Sequence, residues 1–352
     1  MKIRSRAPLR IGLAGGGTDL PSYSDQFGGV VFNAAIGMYA YCTIIPTNDN
    51  RIKIISYDNK NDIDTESVPF LEIDDDNTLI LHKGIYNRIV KDYNGGKPLS
   101  FVMSTSNDAP IGSGLGTSST MVVAILEAYN KWLSLGLTDY QKAKLAYEIE
   151  REDLKLTGGK QDQYAAVFGG FNLMEFKTDG TTVVNSLRLD KSIINELECS
   201  ILLYYSGTSR KSADQQKELA KNIINDQIAR TSEKKTETMD AMKSLKESAH
   251  QMKECVLMGN FTGFADCLKR AWEYKKKTSS IISNKHLEQT INYALENGAE
   301  AVKVSGAGGG GFLMLYCDPI NRQKLIYAME KLPGKVYTIK FSKNGTESWI
   351  TD

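Results

Sequence analysis

The hydrophobic and polar positions divide the chain into segments of two periodicities. Residues 10–14, 30–32, 39–46 and 51–56 are rich in β-branched or aromatic side chains and end in turn residues, which predicts strands. After residue 116 the apolar positions recur every three or four residues, and this spacing predicts a helix. The apolar residues of that helix are Val122, Ile125, Leu126, Tyr129 and Leu133.

A second helix is predicted by Thr138 and Gln141, which have the spacing of a capping box and should start a helix that runs to about residue 156. No proline lies between residues 111 and 318, and proline-free sequence tolerates long helices. The charged region from about residue 212 to 298 also has a helical pattern. Its lysines could hold an anionic substrate, but the mixed charges favour a solvent-exposed helix face.

Later strands alternate with these helices in unequal blocks. They are expected at 170–176, 182–184, 198–205, 301–305 and 312–317. Such a mixture predicts an α+β protein. At 352 residues the chain has the length of two domains. We place them at 1–190 and 191–352, with a boundary in the region 185–200.

The composition argues against several classes of protein. Hydrophobic residues make up 41% and charged residues 24%, and the net charge of +1 indicates neither a nucleic-acid nor a membrane-surface partner. The five cysteines are scattered and form no C-x-x-C pair, which predicts free thiols rather than a disulfide framework or a structural zinc site. The N-terminus has no apolar stretch of signal-peptide length. We therefore expect a soluble, reduced protein of the cytoplasm.

The segment with the clearest chemistry is residues 109–120, A-P-I-G-S-G-L-G-T-S-S-T. Its alternating Gly112, Gly114 and Gly116 permit backbone conformations that other residues avoid. They stand directly before the predicted helix, whose N-terminus favours an anion. Three glycines exceed the need of a simple capped turn, so the segment predicts phosphate binding. It lacks the Gly-Lys-Ser/Thr ending of a P-loop and the glycine spacing of the dinucleotide fingerprint.

Two more glycine-bearing segments each follow a predicted strand. Residues 8–19 read P-L-R-I-G-L-A-G-G-G-T-D, and residues 303–311 read K-V-S-G-A-G-G-G-G. Together with residues 109–120, they resemble the three motifs of the GHMP small-molecule kinases in order and spacing. The resemblance implies a two-domain α+β fold, with an N-terminal ribosomal-protein-S5-like domain, a C-terminal ferredoxin-like domain and the active site in the cleft between them.

The resemblance also implies a nucleotide and metal site, with ATP and Mg²⁺ as cofactors. The second motif would wrap the triphosphate of ATP with Pro110, Gly112, Ser113, Gly114, Leu115, Gly116, Thr117, Ser118 and Ser119. Ser119 is similar to a Mg²⁺ ligand of the family. The family's second ligand is a glutamate about a dozen residues before the catalytic aspartate; Glu150 matches it, and Glu152 is the alternative.

The reacting groups implied by the resemblance are Asp162 and Arg10. Asp162 lies in G-G-K-Q-D-Q, which is similar to the family's segment with the general base. A positioned carboxylate can accept the proton of a sugar hydroxyl late in phosphoryl transfer. Arg10 matches the basic residue of the first motif and would stabilise the charged carboxylate. Without the family resemblance, Asp162 could also be the cap of a turn after two glycines.

The first motif differs from that of galactokinases, because Gly16 and Gly17 replace a glutamate and a histidine. This version resembles the bacterial sugar-1-kinases of the family. The resemblance implies a heptose 7-phosphate as the acceptor, with L-fucose or an unphosphorylated hexose as the alternative. The residues expected to contact the acceptor, besides Asp162, are Gly16, Gly17, Thr18, Asp19, Gly308 and Gly309.

The phosphate of such a sugar needs basic partners. Arg210 and Lys211 follow an S-G-T-S turn and are the expected pair, with ordinary surface charge as the alternative. Lys83 and Arg88 are weaker candidates. A non-catalytic sensor that keeps this fold is a rival function, but it would need no general base. The expected partners are a sugar phosphate and ATP, and a homodimer is left open.

Overall fold

The computed structural model describes residues 1–58, 60–73, 78–207, 217–223, 225 and 237–352, which form two β-sheets with helices packed on them. The strands are β1 (Lys2–Ala14), β2 (Gly29–Pro46), β3 (Arg51–Ser56), β4 (Asn61–Glu66), β5 (Phe101–Asn107), β6 (Phe171–Phe176), β7 (Thr182–Leu187), β8 (Ile201–Tyr205), β9 (Ala301–Val304), β10 (Phe312–Tyr316), β11 (Lys335–Thr338) and β12 (Glu347–Thr351).

The helices lie between these strands. They are α1 (Pro21–Phe27), α2 (Ile80–Tyr93), α3 (Thr117–Leu133), α4 (Asp139–Tyr147), α5 (Gln161–Phe168), α6 (Lys191–Ser200), α7 (Glu237–Leu257), α8 (Phe261–Lys276), α9 (Lys285–Glu296) and α10 (Arg322–Met329). A π-helical turn, Glu148–Asp153, follows α4, a 3₁₀ turn covers Pro319–Asn321, and residues 217–223 are helical. This mixture confirms the predicted α+β class.

The first sheet has the strand order β12-β1-β2-β5-β3-β4, with β6 paired to β2 and β7 paired to β6. β2 is long because its two halves have different partners: residues 29–34 pair with β6, and residues 40–46 pair with β5. Helices α2 to α5 contribute buried apolar side chains to one continuous core with this sheet. The strand β12 comes last in the chain and pairs with β1, so the chain returns to the first sheet.

The second sheet is antiparallel, with the order β11-β8-β10-β9, and its strands β8 and β10 share a hydrophobic core with β1 and β2 of the first sheet. Side chains of β10 alternate between its faces, as the period of two in a strand requires. Phe312 and Met314 join a core that contains β1, β2, α7 and α8, whereas Leu313 and Leu315 pack with α9 and α10. Because β1 lies in this interface, the loop after it opens between the two sheets.

The structure changes several predicted boundaries. The predicted strand 198–205 is wrong in its first residues, because α6 extends to residue 200 and packs its apolar side chains, at helical spacing, on the core. The predicted strands 30–32 and 39–46 are parts of one strand, β2. The pattern does not predict α2, which lies in the proline-punctuated part of the chain where strands and turns are expected.

The helix starts are predicted better. α3 begins at Thr117, directly after the third glycine of the second motif. The capping box of α4 is confirmed, because Thr138 Oγ1 accepts a hydrogen bond from Gln141 N at 3.4 Å and Gln141 Oε1 accepts one from Thr138 N at 2.9 Å. The regular α-helix ends at Tyr147, before the predicted residue 156, and continues as the π-helical turn.

All five cysteines are free, as predicted. Burial raises the pKa of the Cys317 thiol to about 11 and also raises that of Cys42, which keeps these thiols in the unreactive protonated form at neutral pH. In the part of the chain that the structure describes, no helix combines the length and the apolar character needed to cross a membrane.

Candidate active site

The second motif forms a loop that runs into the N-terminus of α3. Gly112, Gly114 and Gly116 have φ angles of +73°, +86° and +80°, which side chains other than glycine rarely adopt. Gly116 occupies the cap position of α3 and has no side chain to bond the first turn of the helix. The N–H groups of that turn are therefore suited to bind an anion such as a phosphate.

The second and third motifs pack backbone against backbone. A Cβ atom on Gly114 would lie 2.4 Å from the carbonyl oxygen of Ser305, and one on Gly311 would lie 2.3 Å from the carbonyl oxygen of Ser113. Larger residues at either position would push the two loops apart. Gly306 and Gly311 of the third motif thus allow the contact with the loop of residues 110–116, the phosphate loop.

One carbonyl group joins all three motifs. The carbonyl oxygen of Gly114 accepts a hydrogen bond from Arg10 Nη1 at 2.6 Å and another from Ser305 Oγ at 3.1 Å. Beside it, Phe312 N donates to the carbonyl oxygen of Ser113 at 2.9 Å. The three segments that the sequence analysis singled out therefore meet at one place.

Asp162 lies in the first turn of α5 and pairs with Arg10 of β1. Arg10 Nε and Nη2 lie 2.8 and 2.7 Å from Asp162 Oδ1. The register of β1 on β2 shifts between Pro8 and Arg10, and such irregularities re-aim side chains. On the other side, a Cβ atom on Gly116 would lie 3.3 Å from Asp162 Oδ2. Arg10 thus binds one carboxylate oxygen, and the other faces the phosphate loop.

Ser119 and Glu150 form a buried oxygen pair next to this loop. Ser119 Oγ donates to Glu150 Oε2 at 2.6 Å, and Glu150 is 2% exposed. Gln163 Nε2 also donates to Glu150 Oε2 at 2.6 Å, and Arg151 Nη1 lies 3.2 Å from Glu150 Oε1. Glu152 is exposed and does not line the pocket that Glu150 lines beside this loop. The geometry therefore favours Glu150 over Glu152 as a metal ligand.

This pair fits a Mg²⁺ ion. Hydroxyl and carboxylate oxygens are the hard ligands that Mg²⁺ prefers, and the ion usually takes one or two carboxylates together with phosphate oxygens and water. Among the described residues, no group of three or more His, Cys, Asp or Glu side chains is arranged to hold a metal. Two protein ligands at the edge of a phosphate loop match the pattern expected for a metal that arrives with a nucleotide.

A pocket extends from the phosphate loop toward the N-terminus of α2. Its far wall contains Ser56, Leu79, His82 and Asn107, none of which the sequence analysis singled out. Burial lowers the pKa of His82 to about 4, so this imidazole is neutral at pH 7 and does not act as a cation for a phosphate. The wall is suited to the nucleoside part of a nucleotide. It was missed because α2, which supplies His82, was not predicted.

A second pocket lies on the other side of Arg10 and Asp162, between the loop after β1 and the second sheet. Gly16, Gly17 and Asp19 line it. Four residues line both pockets: Arg10, Asp162, Gly306 and Ala307. The arginine and the carboxylate therefore stand where a group bound in one pocket would meet a group bound in the other.

Asp19 is fixed tightly in the second pocket. Its Oδ1 accepts hydrogen bonds from Gly17 N at 3.1 Å and Gln161 Nε2 at 3.2 Å, and its Oδ2 accepts one from Gln161 N at 3.2 Å. A Cβ atom on Gly159 would lie 1.9 Å from Asp19 Oδ2, so only glycine fits there. Asp19 is thereby held against the segment that leads to Asp162.

Other predicted acceptor residues lie elsewhere. Thr18 is fully buried, and its hydroxyl contacts the backbone of Gly15 and Val30, so it shapes the loop. Gly308 and Gly309 pack against Ile282, while Gly306 and Ala307 of the same motif reach the pocket.

Of the basic residues predicted for a sugar phosphate, the structure describes only the two weaker candidates, Lys83 and Arg88. Arg210 and Lys211 lie outside the described residues. Arg88 forms ion pairs with Asp92, Glu148 and Asp153, and neither it nor Lys83 lines the second pocket.

Lys275 and Lys303 line the second pocket, and the sequence analysis named neither of them as a site residue. Burial lowers the pKa of Lys303 to about 7, with smaller contributions from the charges of Lys275 and Arg10. Burial also lowers the pKa of Lys275 to about 8, against a raising effect of Asp19. The sequence placed Lys275 on a solvent-exposed helix face, but it is 7% exposed. The sequence did offer one indication that Lys303 lies near the site, because this lysine is the first residue of the third motif.

Comparison with known proteins agrees with this geometry. Residues 81–170 match the family model described as the GHMP kinases N terminal domain, and residues 241–334 match the one described as GHMP kinases C terminal. A protein of Campylobacter jejuni named D-glycero-alpha-D-manno-heptose 7-phosphate kinase is 44% identical over 347 residues, which are 99% of this chain and 98% of that protein.

Two further proteins extend the comparison. A crystal structure from Bacteroides thetaiotaomicron, titled as a D-glycero-D-manno-heptose 1-phosphate kinase, is 43% identical with a TM-score of 0.83 and covers 99% of both chains. The L-fucokinase/L-fucose-1-P guanylyltransferase of Bacteroides fragilis is 27% identical over 90% of this chain and 35% of that protein. The matched family models, the full-length relative and the meeting of all three motifs at one site show that this chain belongs to the GHMP kinase family, whose members are ATP-dependent kinases.

Proposed function

We propose that this protein transfers the γ-phosphoryl group of ATP to the anomeric hydroxyl of D-glycero-D-manno-heptose 7-phosphate, which gives the 1,7-bisphosphate. The observation that carries this proposal is the position of Arg10 and Asp162 between the nucleotide pocket and the second pocket. A nucleotide in the first pocket and a sugar in the second would meet at this pair. The identity of 44% with a named heptose 7-phosphate kinase supports the choice of acceptor.

The residues at the junction suit in-line phosphoryl transfer. The acceptor oxygen forms a bond to the γ-phosphorus while the bond to the bridging oxygen of ADP breaks, and Asp162 accepts the proton of the acceptor hydroxyl. Arg10 holds Asp162 in place through Oδ1 and places a positive charge beside the transferring group. The α3 N-terminus and the phosphate loop bind the triphosphate. Ser119 and Glu150 would hold Mg²⁺, which neutralises charge on the β- and γ-phosphates when it is bound.

The relatives leave the position of transfer to be tested. A kinase acting on a heptose 7-phosphate adds a phosphoryl group at O1, whereas one acting on a heptose 1-phosphate adds it at O7, and both reactions give a bisphosphate. We favour O1, because the first motif resembles that of sugar-1-kinases. The product would supply a cytoplasmic route to nucleotide-activated heptose for surface polysaccharides.

An ADP-release assay over a panel of sugars tests this proposal. The panel contains heptose 7-phosphate, heptose 1-phosphate, unphosphorylated heptose, L-fucose and galactose, and Asp162→Asn protein serves as the background control. We expect heptose 7-phosphate to give the highest kcat/KM, and phosphorus NMR of the product to show a new phosphate at C1. Preferred turnover of L-fucose would instead establish a fucokinase. Binding of ATP and sugar without ADP release would indicate a sensor.

A further inference from the structure

Two buried lysines reach the second pocket from separate elements. Lys275 stands near the end of α8, Lys303 lies in β9, and each is only 7% exposed. Lys275 Nζ donates to the carbonyl oxygen of Gly16 at 3.0 Å. Lys303 Nζ donates to the carbonyl oxygens of Gly12 at 2.5 Å and Leu13 at 3.3 Å. Both ammonium groups are therefore held beside the first motif by backbone atoms.

These contacts leave donors for a ligand. A lysine ammonium group has three N–H donors. Lys275 uses one of them on Gly16, and Lys303 uses two on Gly12 and Leu13. Within the described ranges, no carboxylate forms an ion pair with Lys275 or Lys303. Backbone carbonyls satisfy part of their hydrogen bonding but carry no compensating charge.

The pocket consequently has more positive than negative groups. Its charged lining consists of Arg10, Asp19, Asp162, Lys275 and Lys303. Arg10 and Asp162 compensate each other as a close pair, which leaves one carboxylate for two ammonium groups. Burying an ammonium group without a partner is costly, and the lowered pKa values of both lysines reflect that cost. An anion bound in the pocket would remove the imbalance.

We propose that Lys275 and Lys303 bind the phosphate group of the sugar acceptor and thereby select a phosphorylated sugar over an unphosphorylated one. This inference rests on the proposed function, because it concerns the acceptor of the same site. A sugar phosphate carries about two negative charges near neutral pH and accepts hydrogen bonds through three oxygens. Such a group matches two ammonium groups that have unused donors.

The arrangement along β1 suits a sugar phosphorylated at the far end from its reacting hydroxyl. Arg10, which pairs with Asp162, and Gly12, which binds Lys303, are two residues apart, or about 7 Å along a strand. Lys275 is held at Gly16, still further along the chain. A phosphate at the lysines would let the opposite end of the sugar reach Asp162. Binding energy from the remote phosphate would then orient the reacting hydroxyl and raise turnover.

The first experiment compares heptose 7-phosphate with unphosphorylated heptose for four proteins. They are wild type, Lys275→Gln, Lys303→Gln and the control Lys276→Gln, which removes a neighbouring lysine that pairs with Glu273. Glutamine removes the charge but keeps an amide donor for the backbone carbonyl. We expect kcat/KM for the phosphorylated sugar to fall roughly 10–100-fold in each pocket variant. The values for unphosphorylated heptose should fall less than those for the phosphorylated sugar, so the preference for the phosphorylated sugar should shrink, while the KM for ATP should change by less than about threefold.

Each outcome separates this inference from the proposed function. If wild type uses both sugars equally well, the proposed function fails. If wild type prefers the phosphorylated sugar and both pocket variants keep that preference, the inference is overturned. The Arg210→Ala/Lys211→Ala protein then tests the pair expected from sequence. An equal loss on both sugars would also overturn the inference, because it would indicate a role in the sugar framework or in the fold.

A second measurement uses the wild-type protein and does not depend on the folding of a variant. Calorimetric titration at pH 8, in buffers of different ionisation enthalpy and with a non-hydrolysable ATP analogue, counts the protons taken up on sugar binding. Groups that face the two ammonium groups are Arg10, Asp19 and Asp162, with the Cys267 thiol near Lys303. A bound dianion favours the charged lysines, so proton uptake is expected with heptose 7-phosphate. Zero uptake on binding of the phosphorylated sugar would overturn the inference.

Discussion

The two sides of the Arg10–Asp162 pair are built in different ways. The proposed nucleotide side is mainly one continuous loop and the helix that follows it, where glycines bring backbone N–H groups and neighbouring loops close together. The proposed acceptor side is assembled from side chains that are far apart in the sequence, namely Asp19, Lys275 and Lys303. The first side depends on backbone shape, and the second depends on the identity of a few charged residues.

This difference explains how one fold can keep its chemistry while its acceptor changes. A triphosphate needs only donors and positive potential, which a helix N-terminus and a glycine-rich loop supply without particular side chains. Recognition of an acceptor needs side chains that match its own polar groups. Substitutions on the acceptor side should therefore alter the choice of sugar and leave nucleotide binding intact, whereas substitutions in the loop should do the opposite.

The largest effect is expected at the centre that both sides share. Asp162→Asn should lower kcat roughly 10²–10⁴-fold, because an amide cannot accept the proton of the acceptor hydroxyl. ATP affinity, measured by calorimetry, should stay within a few-fold of wild type. Asp25→Asn, which removes an exposed acid that pairs with Lys160, is the control and should leave kcat unchanged. Near-normal turnover of Asp162→Asn would remove this carboxylate from the role of base.

On the nucleotide side, Gly116→Ala should lower kcat/KM for ATP roughly 10–100-fold. The added methyl group would meet Asp162 Cγ at 3.2 Å, and the φ angle of +80° strains alanine by about 1–2 kcal/mol. Gly136→Ala is a matched control, because its φ angle is +69° and a Cβ atom there meets nothing within 4 Å. Both variants should lose similar stability in thermal unfolding. An equal loss of activity in both variants would mean that backbone strain, and not the contact with Asp162, lowers the activity.

A smaller effect is expected at the metal ligands. Glu150→Gln should raise the Mg²⁺ concentration for half-maximal rate by roughly tenfold, because the variant loses a charged oxygen ligand. Glu152→Gln is the control and should behave as wild type, since Glu152 is exposed. Initial rates over a series of Mg²⁺ concentrations at saturating ATP measure the difference. The reverse result would assign the ligand to Glu152.

The sequence predicted the nucleotide side more completely than the acceptor side for a physical reason. Residues that act through their backbone lie next to each other, so Gly112, Gly114, Gly116 and the start of α3 are visible as one motif. The packing of α2 on the core depends on contacts distant in sequence, and its local pattern did not predict it. Lys275 stands in a run of charged residues typical of a solvated helix, and only the tertiary fold buries it.

The smallest expected effect is a difference between two pH profiles. Lysine is charged below its pKa, so the charged fractions of Lys303, with a pKa of about 7, and of Lys275, with a pKa of about 8, both fall as the pH rises from 7 to 8. Since kcat/KM reports the ionisation of the free enzyme, its value for heptose 7-phosphate should fall roughly fivefold over this range. The kcat should change less, because the bound dianion keeps both lysines protonated. Unphosphorylated heptose, measured in the same buffers, should show no such decline in kcat/KM. Parallel profiles for the two sugars would mean that the lysines do not contact the phosphate, and that the acceptor side distinguishes its sugars by other residues.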